Sequence, residues 1–422
     1  MKKSKLGVQE GGQYFVGLDW GESGHAVAVV DERRRVVDQF DVGPELEELR
    51  RLVERLKGMG TIAGIAVEAT CHPVRDYLVC LGFAVYSVNP KMSKSWRESN
   101  SVAGVKSDRR DSLVLAMELA CRYESLHPLK PEDPGVAELA GLCEKQRQLI
   151  DIRTAQLQRL KATLRQYYRG ALDFFTEWTS PVAWRFLQRF PNPEALARAR
   201  KDTLIKFLKA NHVPLRPRWL ERIEQRGQAT QWPVPADHLA LETLALATVA
   251  QLQALQAYLD KYDRLIAERM TAVPEARLME SLPGAGQRLA PALTAITALV
   301  AGEQDRYQSL RCLSGAAPVE ASSGKHSRIQ MRRRCNKHWR NTLHLFAHCS
   351  TRSCAWAKAF YDMHRQRGDT HAGALRKLAD KWLKIISGML ATGEPYDDQR
   401  YVEALRENGS PVYLRLCEKT SG

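Results

Sequence analysis

Two apolar stretches with the character of buried β-strands each finish with an acidic residue. The first, YFVGLDW (14–20), places Asp19 at its end, and the second, TIAGIAVEA (61–69), places Glu68 there. An ionised carboxylate gains nothing from an apolar core, so two acids at such positions need a separate reason. The pattern predicts a sheet that brings acidic side chains together where its strands end.

The surrounding sequence alternates strand and helix patterns over about the first 120 residues. An amphipathic helix is indicated at 44–58 by the apolar spacing of Leu46, Leu49, Leu52, Val53 and Leu56. The other predicted elements are strands at 25–31, 35–43 and 83–90 and a helix at 73–82. Three consecutive strands followed by αβαβ predict an α/β sheet with a leading antiparallel meander.

A second pair of acids, Asp108 and Asp111, lies in GVKSDRRDSLVLA (104–116) at the start of an apolar helical stretch. One interpretation is a solvated, salt-bridged first turn, because acids favour helix N-termini. The other adds Asp108 and Asp111 to Asp19 and Glu68, with both facing the sheet if the helix crosses its open edge. Four clustered carboxylates repel one another unless a divalent cation neutralises them, and hard oxygen ligands favour Mg²⁺.

The order of these acids, Asp on a first strand, Glu on a later strand, then Asp-x-x-Asp, is a ribonuclease-H-like (RuvC-like) signature. Its chemistry is phosphoryl transfer with two metal ions about 3.5–4 Å apart. Lys106, Arg109 and Arg110 flank the last pair, and we expect them to reach nucleic-acid phosphates.

The net charge of the chain also indicates a polyanionic partner. Lys and Arg number 63 against 48 Asp and Glu, which gives a formal charge of +15. The longest apolar run (290–302) is too short to span a bilayer, and no apolar segment follows the charged start, so we expect a cytoplasmic protein. Nine cysteines without a CxxC pair suit a reducing compartment. For the His and Cys residues at 344–354, buried helix packing is favoured over a zinc site.

Beyond a Pro-rich break at 127–135 the sequence becomes helical. Approximate heptads at 139–167 and 252–266 are compatible with an antiparallel coiled coil, with pairing to another subunit, or with ordinary bundle helices. The region between them, 170–238, has the character of a small helical insert.

Two features of the last third favour contact with phosphates. In SLPGAGQRLAPALTAI (281–296), Gly284 and Gly286 allow close backbone approach at a helix start, although a plain interhelical turn explains them nearly as well. A serine-containing loop and a dense basic run follow at 314–340. The cations favoured for phosphate binding are Lys325, Arg328, Arg332, Arg333, Arg334 and Lys337.

Taken together, these motifs resemble the DEDD-type transposases of the IS110 class of insertion sequences, which are recombinases guided by a bridge RNA. VGLDWG, IAVEAT, YSVNP and KSDRRDSLVLA carry the RuvC-like half of the resemblance, and SLPGAGQRLAPALTA and LSGAAPVEASSGKHS carry the transposase half. It implies a RuvC-like domain (1–126), coiled-coil helices (136–270), a mostly α transposase domain (272–400) and a tail (401–422).

The resemblance also implies roles for individual residues. Asp19, Glu68, Asp108 and Asp111 are the metal-binding catalytic acids, and Ser323 is the nucleophile, which register alone separates from Ser322. Donor and target DNA, a bridge RNA and further copies of the chain, as a dimer assembling to a tetramer, are the implied partners.

Three alternatives have different functions. An actin-like ATPase shares GLDWG but requires a second phosphate loop and an adenosine loop, neither of which is recognisable in the sequence. A non-catalytic architectural protein is disfavoured by the intact set of four acids. A junction resolvase that acts by metal-dependent hydrolysis is disfavoured by the long second half with its serine loop.

Overall fold

The structure is a computed structural model that describes residues 12–420 apart from 22, 69–72, 101–106, 130–132, 231–232 and 324–325. The chain divides into two compact units, residues 1–132 and 133–422. The finer domain limits given above stay a prediction.

The first unit contains a mixed five-stranded sheet. Its elements are β1 (Gln13–Trp20), β2 (His25–Asp31), β3 (Val36–Val42), α1 (Leu46–Gly58), β4 (Thr61–Glu68), α2 (Pro73–Cys80), β5 (Val85–Val88), α3 (Pro90–Asn100) and α4 (Asp108–Arg122). The strand order is β3-β2-β1-β4-β5. Strands β1 to β3 are antiparallel, while β4 runs parallel to both β1 and β5. The predicted meander and the ribonuclease-H-like fold class are confirmed.

The alternation of side chains along β1 separates the two faces of this sheet. Tyr14, Val16 and Leu18 belong to the core that contains α1 and α2. Phe15 belongs to the opposite core, which contains α4. Residues 17 and 19 therefore follow Phe15 onto the α4 face.

A glycine in β1 sets how closely α4 approaches the sheet. A Cβ added at Gly17 would lie 1.9 Å from the backbone oxygen of Ser112 and 2.5 Å from the nitrogen of Ala116. No side chain fits there, so α4 crosses directly over β1. Since β1 is the central strand, the helix covers the middle of the sheet and not the open edge that the sequence interpretation assumed.

The second unit is mostly helical, as predicted. Its elements are α5 (Pro134–Tyr167), α6 (Arg169–Phe174), α7 (Pro181–Arg189), α8 (Pro193–Arg198), α9 (Lys201–Ala210), α10 (Pro217–Glu224), α11 (His238–Met270), α12 (Ala276–Glu280), α13 (Gly286–Ala298), α14 (Arg306–Ser314), β6 (Pro318–Ser323), β7 (His326–Met331), α15 (Lys337–Ser353), α16 (Ala355–Gln366), α17 (His371–Thr392), α18 (Asp398–Glu407) and α19 (Pro411–Thr420). Among the described residues, no helix combines the length and apolarity needed to cross a membrane.

The two long helices, α5 and α11, pack against each other within the chain. Three side-chain contacts join them: Glu138 with Arg269, Gln146 with Asp263, and Arg153 with Gln256. Residues later in α5 contact residues earlier in α11. The helices are therefore antiparallel, which is one of the arrangements that the heptads allowed. Helices α6 to α10 form a separate aromatic core at the far end of this pair, around Trp178, Trp184 and Trp219.

Helices α12 to α19 surround another core, in which Phe346, Trp356 and Trp382 are buried. The last two helices contribute Leu405 and Val412 to it, although their sequence shows little pattern. Strands β6 and β7 form a two-stranded antiparallel ribbon where the sequence predicted only a loop. Short strands with polar residues on both sides carry no clear alternation, which explains the omission.

Candidate active site

Asp19 and Glu68 lie next to each other at the carboxyl ends of neighbouring parallel strands. The register pairs Leu18 of β1 with Val67 of β4, so each acid directly follows a paired residue. Ala66 packs on the α4 side of the sheet, and Glu68, two residues later, falls on the same side. The sheet thus directs both acids toward the start of α4.

The start of α4 supplies the other two acids. Ser107 is the N-cap, and its side chain accepts a hydrogen bond from the backbone nitrogen of Arg110. Asp108 and Asp111 both lie in the first turn. Asp108 is exposed, whereas Asp111 is only 4% exposed. Burial of Asp111 does not fit the alternative of a solvated first turn.

The structure brings all four acids within electrostatic reach of one another. Asp19 has its pKa raised from 3.8 to about 6, first by burial and then by the negative charges of Asp111, Asp108 and Glu68. Arg97 acts in the opposite direction and lowers this pKa. The cluster is therefore electrostatically strained as long as its charge is not compensated.

Arg97, on α3, is a member of this site that the sequence interpretation missed. Its Nη1 donates to Oδ2 of Asp111 at 2.7 Å, and the Asp111 side chain is otherwise almost fully enclosed. Asp111, Glu68 and Asp19 all raise the pKa of Arg97 against the effect of burial. A single Arg fourteen residues before its partner has no recognisable motif, so only the tertiary structure identifies it.

The donor set of the cluster fits a hard divalent cation, since all four side chains offer carboxylate oxygens. Across the described residues, no three His, Cys, Asp or Glu side chains are gathered closely enough to hold an ion in their present positions. The carboxylates share one face of the sheet and repel one another, so a cation would draw together groups that the fold already places side by side.

The cations predicted to flank the acids take different positions. Arg109 turns toward β3, where its Nη2 donates to Asp41 at 2.5 Å, and both side chains are more than half exposed. An exposed pair of this kind contributes little and can exchange for a phosphate. Arg110 is half-buried. Lys106 lies outside the described residues.

The predicted nucleophile belongs to the second unit. Ser323 is the last residue of β6 and pairs with His326 of β7, while Ser322 pairs with Ser327. Both serines therefore lie at the end of the ribbon where β6 finishes and β7 begins. Lys325 falls outside the described residues, and Arg328 lies within β7.

The remaining predicted contacts lie beyond the ribbon and at the α12–α13 turn. Arg333, Arg334 and Lys337 are exposed, whereas Arg332 is half-buried. Gly284 has a φ of +85°, and a Cβ there would lie 2.8–2.9 Å from backbone atoms of Cys349 and Ser350 in α15. Its packing against α15 is a sufficient reason for glycine. Gly286, with a φ of +55°, faces open space.

Comparison with known proteins gives two family matches in the order of the two halves. Residues 16–169 match the model of a DEDD transposase domain of the IS110 type, and residues 276–362 match the transposase family IS116/IS110/IS902. The first match contains all four acids, and the second contains Gly284, Gly286, Ser322 and Ser323.

Several insertion-element proteins are similar along much of the chain. The mini-circle protein for IS117 of Streptomyces coelicolor is 26% identical over 92% of this chain and 96% of its own length. The uncharacterized 44.8 kDa protein of IS116 from Streptomyces clavuligerus is 25% identical over 89% and 94% of the two chains. The uncharacterized 42 kDa protein of IS900 from Mycobacterium paratuberculosis is 26% identical over 68% and 71%.

Proposed function

The chain belongs to the IS110/IS116/IS902 family of transposases, and on this premise we propose that it is a bridge-RNA-guided DNA recombinase with a serine nucleophile. Transposition is a phosphoryl transfer on DNA, and a DEDD domain depends in general on a divalent metal. Beyond family membership, we propose Mg²⁺ as the metal, the four acids and Ser323 as the catalytic residues, and a phosphoserine as the covalent intermediate.

The observation that carries the proposal is the convergence of Asp19, Glu68, Asp108 and Asp111 on one face of the sheet. Two strand ends and one helix start, far apart in sequence, direct four carboxylates to the same place. Such a concentration of negative charge is unfavourable for the protein alone and suits a site for Mg²⁺.

In this proposal the four acids hold Mg²⁺. Two ions are proposed because phosphoryl-transfer sites of this type use two metal ions. When bound, the metal supplies charge stabilisation to the attacking and leaving oxygens. Asp111 is held by Arg97, which leaves its second oxygen available. Asp108, exposed on the first turn, completes the set from the solvent side.

Ser323 provides the nucleophile, and the acidic site activates it. Its Oγ forms a bond to the scissile phosphorus, and the bond from phosphorus to the leaving sugar oxygen breaks. The serine proton passes to a base, and the leaving oxygen takes up a proton. Attack by another strand's hydroxyl on the phosphoserine then releases the serine and joins the strands, so no bond energy is lost to water.

RNA guidance rests on the family resemblance, and the positive charge of the chain supports a nucleic-acid partner without selecting RNA or DNA. If base pairing selects the target, the protein needs no element that reads base sequence. A homo-oligomer, a dimer assembling to a tetramer, is part of the same proposal.

The test combines purified protein, DNA carrying the element ends, candidate flanking RNA and Mg²⁺. A denaturant-resistant protein–DNA adduct and a joined product are expected. Both vanish in Ser323→Ala and in Asp108→Ala, whereas Ser322→Ala, the neighbouring hydroxyl on the same strand, retains them. Omission of the RNA abolishes target selection. An adduct that persists in Ser323→Ala contradicts the assignment of the nucleophile.

The second candidate is a RuvC-like endonuclease that resolves junctions by hydrolysis, because the acidic site is complete within the first unit. Cleavage that requires Asp108, forms no adduct and tolerates Ser323→Ala would favour it.

A further inference from the structure

A cavity of about 560 Å³ lies in the second unit between α5, α13, α15 and α17. Its volume is in the range of pockets that enclose small organic ligands. The proposed catalytic acids belong to the other unit. The proposed chemistry does not involve this cavity, and the family matches assign it no role.

The cavity is lined by an unusual concentration of basic and imidazole groups: Arg147, Arg288, His338, His344, His348 and His371. No acidic residue belongs to the lining in the part of the chain that the structure describes. The ionic partners of the two guanidinium groups, Asp151 and Asp263, lie outside this lining, so a phosphate in the cavity would compete with these carboxylates for Arg147 and Arg288.

The lining of the cavity also contains uncharged residues, both apolar and amide. Ile150, Leu289 and Leu345 contribute apolar surface, and Gln146 and Asn341 contribute amide groups. Guanidinium, imidazole, amide and apolar groups together match the parts of a nucleotide, which has a phosphate, a hydrogen-bonding edge and a flat apolar face.

Two of the imidazoles are suited to contact a neutral base. Burial is the first cause that lowers the pKa of His338 and of His344. Nearby Arg side chains lower the pKa of His344 further, whereas at His338 the acids Glu144 and Asp151 act against burial and Arg147. A neutral imidazole offers one donor and one acceptor and can stack on a base. A zinc site is disfavoured, because no three metal-binding side chains are grouped among the described residues.

The wall is also held in place before any ligand arrives. Arg147 pairs with Asp151 at 2.7 Å, and its Nε is buried without a hydrogen-bond partner in the described structure. The hydroxyl of Tyr361 lies 2.7 Å from Nδ1 of His371. A preformed wall lowers the entropic cost of binding.

We propose that this cavity binds one unpaired nucleotide, with its phosphate at Arg147 and Arg288 and its base between the imidazoles and the apolar wall. The inference rests on the proposed function only in that the nucleotide belongs to the nucleic acid that the enzyme handles. The site itself is separate from the catalytic acids and from Ser323.

The test uses full-length protein and measures carbethoxylation of individual histidines by mass spectrometry. AMP and dAMP are the probes, inorganic phosphate is the comparison, and the exposed His212 and His238 are internal controls. We expect both nucleotides to protect His344 and His348 at concentrations where phosphate does not. Stronger protection by AMP would identify RNA as the source, and equal protection would indicate recognition of base and phosphate alone.

Arg288→Gln should weaken the protection about tenfold, because a charge-assisted contact is lost. Lys358→Gln is the matched control. It removes a similarly exposed cation, which pairs with Asp362 on α16, a helix that contributes no residue to the lining of the cavity. Equal protection by phosphate alone, or protection that is insensitive to Arg288→Gln, overturns the inference. These results do not depend on adduct formation, so failure of the proposed function is seen separately.

Discussion

The acid cluster and the serine ribbon rest on very different supports. The acids are carried by the neighbouring inner strands β1 and β4, two of the three inner strands of the sheet, and by a helix that lies in contact with the sheet at Gly17. Ser323 is carried by the two-stranded ribbon of β6 and β7, and a two-stranded ribbon is at best marginally stable by itself. Ile329, 78% exposed, and Met331, 43% exposed, extend apolar surface from it into solvent.

This difference shows that the two halves of the proposed chemistry are prepared to different degrees. The fold of the first unit imposes the positions of the carboxylates even against their mutual repulsion. For Ser323, the described structure gives backbone pairing with His326 of β7. We therefore expect metal binding to be a property of the protein alone and serine positioning to depend on the bound nucleic acid.

The largest effect is expected at Arg97. Arg97→Gln should weaken Mn²⁺ binding, measured by electron paramagnetic resonance, by about 10–100-fold, because the partner of a proposed metal ligand, Asp111, is lost. Arg97→Lys should restore part of the affinity, since Lys retains the charge. Lys94→Gln is the control, because Lys94 lies on the same helix in an exposed pair with Glu98. Unchanged or tighter binding in Arg97→Gln would show that Arg97 does not position Asp111.

An intermediate effect is expected from Asp19→Asn in the presence of a chelator. The folded-state pKa of Asp19 is about 6 against 3.8, so ionisation above pH 6 disfavours the folded state. The variant should therefore be more stable than the native protein by roughly 1–2 kcal/mol at pH 7.5, because solvent screening at this partly exposed carboxylate reduces the full effect of the shift. The difference should shrink as the pH falls through 6 toward 4.

Thermal unfolding at several pH values measures this difference. Asp76→Asn, which changes an exposed acid of α2 in the same unit, is the comparison. A variant that is less stable at pH 7.5, or equally stabilised at pH 4.5, would contradict the account of repulsion within the cluster.

The smallest effect is expected in the ribbon. Ile329→Ala should change the free energy of unfolding by no more than about 0.5 kcal/mol, because the side chain is exposed. Ile65→Ala, at a position in β4 that is 1% exposed, should cost about 2–5 kcal/mol. Denaturant unfolding of both variants makes the comparison. A large loss of stability in Ile329→Ala would show that the ribbon is packed as tightly as the sheet and that the two supports do not differ.

The sequence predicted the first unit well because its first helix is periodic and two of its strands are almost continuously apolar. In 14–20 and 61–69 few polar residues interrupt the apolar run, so the acids near the ends are conspicuous. The arrangement of α4 depends on Gly17, whose role is visible only when the helix is seen above it. Periodicity fixes which residues face the core but not where one element crosses another.

Arg97 and the ribbon could not be predicted for two different reasons. The contact of Arg97 with Asp111 is a tertiary contact between α3 and α4 and leaves no spacing pattern in either helix. The ribbon is formed by six-residue strands in which apolar and polar residues alternate over no more than four positions, so the strand period is too short to announce it. The location of Ser323 in the chain was accessible from family motifs, but the form of its support was not.

The length of the antiparallel pair α5–α11 fixes the distance between the elements that pack at its two ends. The 34 residues of α5 span about 50 Å at 1.5 Å per residue, which equals the length of about 15 base pairs of DNA. One end of the pair packs against α13, and the other carries the aromatic core of the 170–238 insert. Seven residues added to each helix would keep the same faces in contact and move the insert outward by about 10 Å, or three base pairs. Helix length in this region thus sets the distance between the 170–238 insert and α13.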